Sequence, residues 1–449
     1  MPFLPVKRYA DRILKIATPA VAGLSSQMVV SIIDTAMVGR LENSAVALAS
    51  MGLGVLATWT LTAFFSSLAT GTHILVARRQ GEGNYSEAGT VLNNSLVLAF
   101  LLGGVFGFLG YYFSHDIIGF FSSDEQVAFT GGEYMKYRSL GLPFFLLAVA
   151  YRGFFYGIGH TKIFLVSAVV SYLVNIAFNY FLIFGTFGFP SMGVAGAGLA
   201  ASIGMCLGCL YFIVATFLPY YRKKYRYYEV IKLGIKHLEP IIRISLPVSF
   251  QNILILFGFL IFVAITGIIG TQEQAATQVV ITALFLSFMP CFGLGIAAQT
   301  LVGNALGNKE PDEAYQYGVE TAKIAVIFTL LLGVIFVVAP ELVLRIITSS
   351  DEVIDVAKPI LQLAGIAQVF YGAGIILAYA LQAAGATVYV MVIEIVTHWV
   401  IFLPLSYYFG VTLGYGLFGA WVALPVYIVS YTSLVWYRFR SGSWKRIKV

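Results

Sequence analysis

Long apolar runs, broken by short polar loops, fill nearly the whole chain of 449 residues. A helix that crosses a membrane needs about 20 mostly apolar residues. Twelve runs meet that need: 12–38, 46–77, 88–113, 129–158, 161–184, 191–218, 241–269, 274–306, 314–339, 354–384, 387–409 and 415–437. Several exceed the minimum, so tilt or kinks are expected. Pro19, Pro143, Pro247, Pro290, Pro359 and Pro404 lie within or near these runs. Each removes one backbone hydrogen bond and marks a candidate kink.

The pattern occurs twice. Leu75-Val76-Ala77-Arg78-Arg79-Gln80-Gly81 and the loop to Ala88 align with Leu301-Val302-Gly303-Asn304-Ala305-Leu306-Gly307 and the loop to Ala314. Thr18-Pro19-Ala20 pairs with Leu246-Pro247-Val248, Gly159-His160-Thr161 with Gly385-Ala386-Thr387, and Gly193–Ala200 with Gly416–Ala423. Six spans per half give both halves the same orientation, a parallel repeat about an axis along the membrane normal. The small residues of spans six and twelve allow close helix approach in lipid, where packing replaces the hydrophobic effect. The predicted fold is an all-α integral membrane protein of twelve transmembrane helices in two parallel six-helix repeats. The expected boundaries are an N-lobe at 1–218, a basic cytoplasmic linker at 219–240, a C-lobe at 241–437 and a basic cytoplasmic tail at 438–449.

Composition agrees with a lipid solvent. The hydrophobic fraction is 59% and charged residues make up 11%, against roughly 25% charge in soluble domains; mean hydropathy is +0.86. The net charge of +6 follows from topology. One face takes Lys7, Arg8, Arg12, Lys15, Arg78, Arg79, Lys162, Lys309, the cluster from Arg222 to Arg243 and the tail residues Arg438, Arg440, Lys445, Arg446 and Lys448. The other takes only Arg40, Lys136, Arg138, Arg345 and Lys358. Basic loops face the cytoplasm, so both termini are expected inside, in a bacterial inner or plasma membrane. The basic loops are short and flank spans, which argues against a nucleic-acid partner. No cleavable leader pattern opens the chain. Cys206 and Cys209 form a C-x-x-C inside an apolar run, read as small packing residues rather than a metal or redox site.

An ionisable group inside a span costs at least a few kcal/mol and is a functional candidate by default. Asp34 stands near the outer end of span one. Asn175 and Asn179 are four apart, on one face of span five, and are expected to partner Asp34. Glu394 and His398 stand four apart in span eleven, as a possible C-lobe polar site that shares a proton or as a mutually satisfied structural pair. Gln278 and Gln251 are candidates to line a cleft. His73 and Arg152 are read mainly as structural. Pro19 is a candidate hinge. Some of the 36 Phe and 27 Tyr could take flat cations by cation–π contact. No P-loop, H-E-x-x-H or G-x-S-x-G motif is present, so no cofactor is expected and energy comes from a gradient.

The anchors resemble the multidrug and toxic compound extrusion (MATE) family. Asp34-Thr35-Ala36-Met37-Val38-Gly39-Arg40 is similar to that family's span-one ending. Ala275-Ala276-Thr277-Gln278 with Leu301–Gly307 is similar to its span-eight block, and Asn175–Gly185 with Gly193–Ala200 to its spans five and six. The resemblance implies a V-shaped, two-lobe transporter that exports amphipathic, often cationic compounds against inward H+ or Na+. It acts on drug-like small molecules, as an expected monomer in lipid. Of the family's two ion-site patterns, the C-lobe acidic positions fall at Ile255 and Tyr371, neither acidic. The N-lobe pattern fits Asp34 and Asn175, with Asn179 where many members carry a second Asp, and Ala201 with Ser202 at the span-six polar position. The likeness is to the DinF-like branch. With one carboxylate in place of two, H+ is the favoured coupling ion, Na+ at Asp34 the other. A lipid-linked saccharide flippase of the same superfamily is the alternative. An intramembrane enzyme is a third reading, for which only Glu394 and His398 come near a catalytic constellation.

Overall fold

The computed structural model describes residues 4–447, and the described residues contain helices and no strand; Lys448 of the predicted basic tail lies outside them. The first half runs α1 (Lys7–Val38), α2 (Ser44–Gly81), α3 (Tyr85–Tyr112), α4 (Ser114–Phe121), α5 (Glu125–Ser139), α6 (Leu142–Gly157), α7 (Thr161–Phe184) and α8 (Gly193–Phe217). A short α9 (Pro219–Tyr225) follows. The second half runs α10 (Ile235–Ile269), α11 (Thr271–Gly307), α12 (Pro311–Val338), α13 (Pro340–Ile347), α14 (Asp351–Ala383), α15 (Thr387–Ile395), α16 (Leu403–Tyr407) and α17 (Gly416–Arg440). Ten of these helices are long and apolar enough to cross a membrane alone, the stretch Thr387–Thr412 that holds α15 and α16 is the eleventh, and α5 with α6, bent by 48°, makes the twelfth. The bend follows from sequence: Gly141 and Pro143 interrupt the hydrogen-bond ladder between them.

The repeat is visible element by element. The helices α3 and α12 both have 28 residues, α4 and α13 both have 8, and α8 and α17 both have 25. Asp124 caps α5, its carboxylate accepting from the Gln126 and Val127 amides at 2.9 and 3.1 Å, and Ser350 caps α14 at the matching place. The copies differ twice. The bent pair α5–α6 corresponds to the continuous α14. The uniform α7 corresponds to a span whose middle and end, Val396–Phe402 and Tyr408–Thr412, are π-helical.

The chain divides into two compact units. One is Ala22–Ser249; the other combines the chain up to Val21 with Phe250 and beyond. Both boundaries between the units lie inside helices. Both boundaries fall a few residues after a repeat-related proline, Pro19 in α1 and Pro247 in α10. A proline lacks the amide that ties one helical turn to the next, so these are the positions where a helix most easily serves two bodies.

The 219–240 segment is not a free tether. Asn93 and Asn94 of α3 donate to the Tyr227 and Lys232 carbonyls, each at 2.7 Å, and Asn94 accepts from the Gly234 amide at 3.3 Å. Tyr225 and Tyr227 are buried, which pushes their phenol pKa values up and keeps them neutral donors. Tyr225 donates to Gln80 Oε1 at 3.0 Å and Tyr227 to the Thr216 carbonyl.

In the Ala22–Ser249 unit, α8 lies against α7 and α5 through glycines. A Cβ at Gly204 would stand 2.6 Å from the Ser171 carbonyl oxygen and 3.1 Å from Asn175 Cβ; one at Gly198 would stand 2.4 Å from the Tyr134 carbonyl oxygen. Only glycine allows backbones this close. The second unit packs Ala-rich faces of α11, α12 and α14 around buried Ile376, Leu377 and Leu381.

Candidate functional site

Asp34 sits one turn from the end of α1, half-buried. Two helical turns of α7 present Asn175 and Asn179 to it, both buried. Asn179 Nδ2 donates to Asp34 Oδ1 at 2.6 Å. The Asn175 amide satisfies both its ends with its nitrogen toward the carboxylate: Nδ2 then donates to Asp34 Oδ1 at 3.0 Å, and Oδ1 accepts from the Ala201 amide at 3.1 Å. The four-residue spacing thus converges on one carboxylate oxygen, and α8 supports the arrangement from behind. Asn179 Oδ1 is buried with no hydrogen-bond partner.

The sequence pattern did not point to a cation here. Arg138, counted above as a topology charge, is the charged group whose field acts on Asp34, although the two form no ion pair within 4.0 Å. It is held by Tyr134, whose hydroxyl accepts from Nη1 at 3.2 Å and whose ring lies 5.8 Å from the guanidinium carbon. Ser202 Oγ donates to the Tyr137 and Arg138 carbonyls at 2.7 and 3.1 Å, fixing the end of α5. The signal was available: Arg138 lies inside the predicted run 129–158, where an unexplained charge is itself a candidate.

Gln278 is exposed on α11. Glu394 and His398 are both buried and make no ion pair with each other within 4.0 Å. Glu394 instead accepts from the Tyr427 hydroxyl and is within reach of the Tyr431 hydroxyl. The π-helical turn starting at Val396 turns His398 into a pocket of Phe259, Phe402 and Tyr427. Gln251 accepts from Gln382 at 3.4 Å, a structural bond. His73 packs its ring on Tyr156 at 5.7 Å, and Arg152 lies over the Phe164 ring at 5.9 Å. No group of three or more His, Cys, Asp or Glu side chains suited to a metal occurs among the described residues.

An all-helical pair of six-span repeats, with a half-buried carboxylate near the end of its first span, has the architecture of a membrane transporter. The MatE family model matches the chain twice, at residues 19–181 and 247–408, one copy per half. The chain belongs to the MatE family. It is 27% identical to a probable multidrug resistance protein NorM of Thermotoga maritima, over 99% of this chain and 95% of that one. It is 25% identical to a probable multidrug resistance protein YoeA of Bacillus subtilis, over 87% and 84%. Among solved structures, a MATE protein in a bent conformation superposes with a TM-score of 0.89 at 20% identity, covering 98% of this chain and 96% of that one. A MOP superfamily transporter from Pyrococcus furiosus, described as having a binding pocket of reverse polarity, gives 0.85 at 20% identity over 96% and 95%.

Proposed function

We propose that this chain is a secondary active efflux antiporter that exports amphipathic, often cationic drug-like compounds in exchange for an inward cation, with Asp34 as the coupling carboxylate. It works as a monomer by alternating access, in the DinF-like manner in which the first repeat carries the ion site. The lysine and arginine asymmetry supports cytoplasmic termini. The relatives' names as multidrug resistance proteins support the substrate class.

The observation that carries this reading is the Asp34 carboxylate held by two asparagine amides from a neighbouring span. The same geometry favours H+ over Na+. With the Asn175 amide assigned as above, both asparagines offer nitrogen donors to Asp34, whereas Na+ needs oxygen ligands. Arg138 already supplies positive charge nearby, which disfavours a second fixed cation. A protonated Asp34 would itself be a donor, and it has an acceptor within a rotation: the unpartnered Asn179 Oδ1. Loading the proton thus exchanges the Asn179–Asp34 bond for its reverse. Pro19, about four turns earlier on the same helix, is the hinge through which α1 responds.

The test is Asp34→Asn in proteoliposomes, with ethidium efflux driven by a proton gradient and then by a Na+ gradient. Wild-type protein should respond to the proton gradient and the variant to neither, at equal insertion. Efflux by the variant at the wild-type rate would overturn the assignment; efflux requiring Na+ would overturn the choice of ion.

A further inference from the structure

The unit that lacks Asp34 holds a buried carboxylate of its own. Glu394 is 5% exposed and, among the described residues, no Lys or Arg lies within 4.0 Å of it. Its contacts are neutral: Tyr427 donates to Oε1, and Tyr431 supplies a second hydroxyl. The other titratable groups facing this cluster are Tyr371 and Tyr379 of α14, with Cys291 of α11 beside Tyr371, and His398 on its own span. From α10, Gly258 and Phe259 lie against His398. The cluster thus holds one acid, one imidazole and phenols, without a fixed cation.

An uncompensated carboxylate in such surroundings is costly by several kcal/mol, and the usual relief is a proton. A proton needs no cavity, whereas Na+ would need several oxygens and an organic cation would need room. The phenol hydroxyls suit both states, because an O–H donates to a carboxylate and its oxygen accepts from a carboxylic acid. A lysine or an amide nitrogen could serve only the first. His398 gives the second, independent observation. It is 1% exposed, and both ring nitrogens are buried without a hydrogen-bond partner. An imidazole left unsatisfied four residues from the acid, on a π-helical turn of a kind that clusters at functional sites, is an unused proton acceptor in the same cluster.

We propose that Glu394, with Tyr427, Tyr431 and His398, forms a second exchangeable proton site in the Phe250–Val449 half, outside the Asp34 site. Glu394 binds the proton, the phenols hold it in either state, and His398, ring to ring with Tyr427 at 5.3 Å, is a positioning residue. This deepens the antiport reading and rests on it for its role in transport, but the protonation itself is tested separately.

Infrared difference spectra of purified full-length protein, titrated between acid and alkaline pH, should show a protonated-carboxyl band that Glu394→Gln removes and Asp34→Asn retains. Tyr427→Phe should keep the band and move its frequency, since one hydrogen bond is lost. In weakly buffered solution, ethidium binding should release one proton fewer per protein in Glu394→Gln than in wild type. Unchanged spectra and unchanged proton release in Glu394→Gln, with only a lower thermal transition, would show a structural role and overturn the proposal. A band that responds to Na+ in place of K+ at fixed pH would overturn the choice of proton. If Asp34→Asn keeps wild-type efflux, the antiport reading fails while the Glu394 band still decides this site. Should Glu394→Gln not fold, Tyr427→Phe decides instead: a shifted band supports the site, and an unmoved band overturns it.

Discussion

Replacing Asn179 by Asp puts a second carboxylate where an amide now donates to Asp34 at 2.6 Å. The 179 side chain is fully buried, so the new charge is barely screened. Two carboxylates with charge centres about 4 Å apart repel by about 4 kcal/mol at an effective dielectric of 20. The variant also loses the donor, a bond to a charged group worth about 1.5–3 kcal/mol. Arg138 offsets part of this without touching either group. The doubly ionised site is therefore unstable, and a bound cation relieves it. At alkaline pH, where a proton is scarce, Asn179→Asp should melt lower than wild type in choline chloride and recover in equal NaCl. A site filled at 100 times its dissociation constant returns about 2.7 kcal/mol. At acid pH a proton takes the place of Na+, and the salt difference should fade. Wild-type protein should show no such Na+ dependence. The assay is thermal unfolding of purified protein at constant ionic strength. A variant as stable as wild type in choline, with no response to Na+, would refute the claim that positions 34 and 179 share one pocket.

Two further outcomes follow from packing. Gly204→Ala places a methyl 2.6 Å from the Ser171 carbonyl and should lower stability by about 1–3 kcal/mol, as overpacked cores do; it should also slow efflux, because α8 carries the Ala201 amide that holds Asn175. Gly52→Ala, which meets nothing within 4 Å, is the matched control. Pro19→Ala restores one helical hydrogen bond and should reduce ethidium transport more than ethidium binding, compared by efflux and by fluorescence titration; equal loss of both would mean that Pro19 only shapes the fold.

Lipid as solvent made much of this protein legible from sequence. A chain that must satisfy its backbone inside hydrocarbon writes its spans as apolar runs of fixed minimum length. The twelve runs and their twofold repetition are one-dimensional consequences of that demand. Asp34, Asn175 and Asn179 could be named because an intramembrane charge is conspicuous and a four-residue spacing shares a helix face. Which side chains surround them could not be named, because lateral neighbours in a membrane are set by the close approach of small residues. Gly198 against the Tyr134 carbonyl brings α5, and with it Arg138, into the field of Asp34 across about a hundred residues of chain. The same limit hid the tyrosine that Glu394 and His398 both touch. Their spacing reads as a pair on an α-helix, but the span turns π-helical at Val396 and the tyrosines of α17 take the carboxylate. Where the units divide was likewise decided by packing: α1 and α10 each serve both, and the 219–240 segment, basic and loop-like in sequence, is bound to α3 by Asn93 and Asn94.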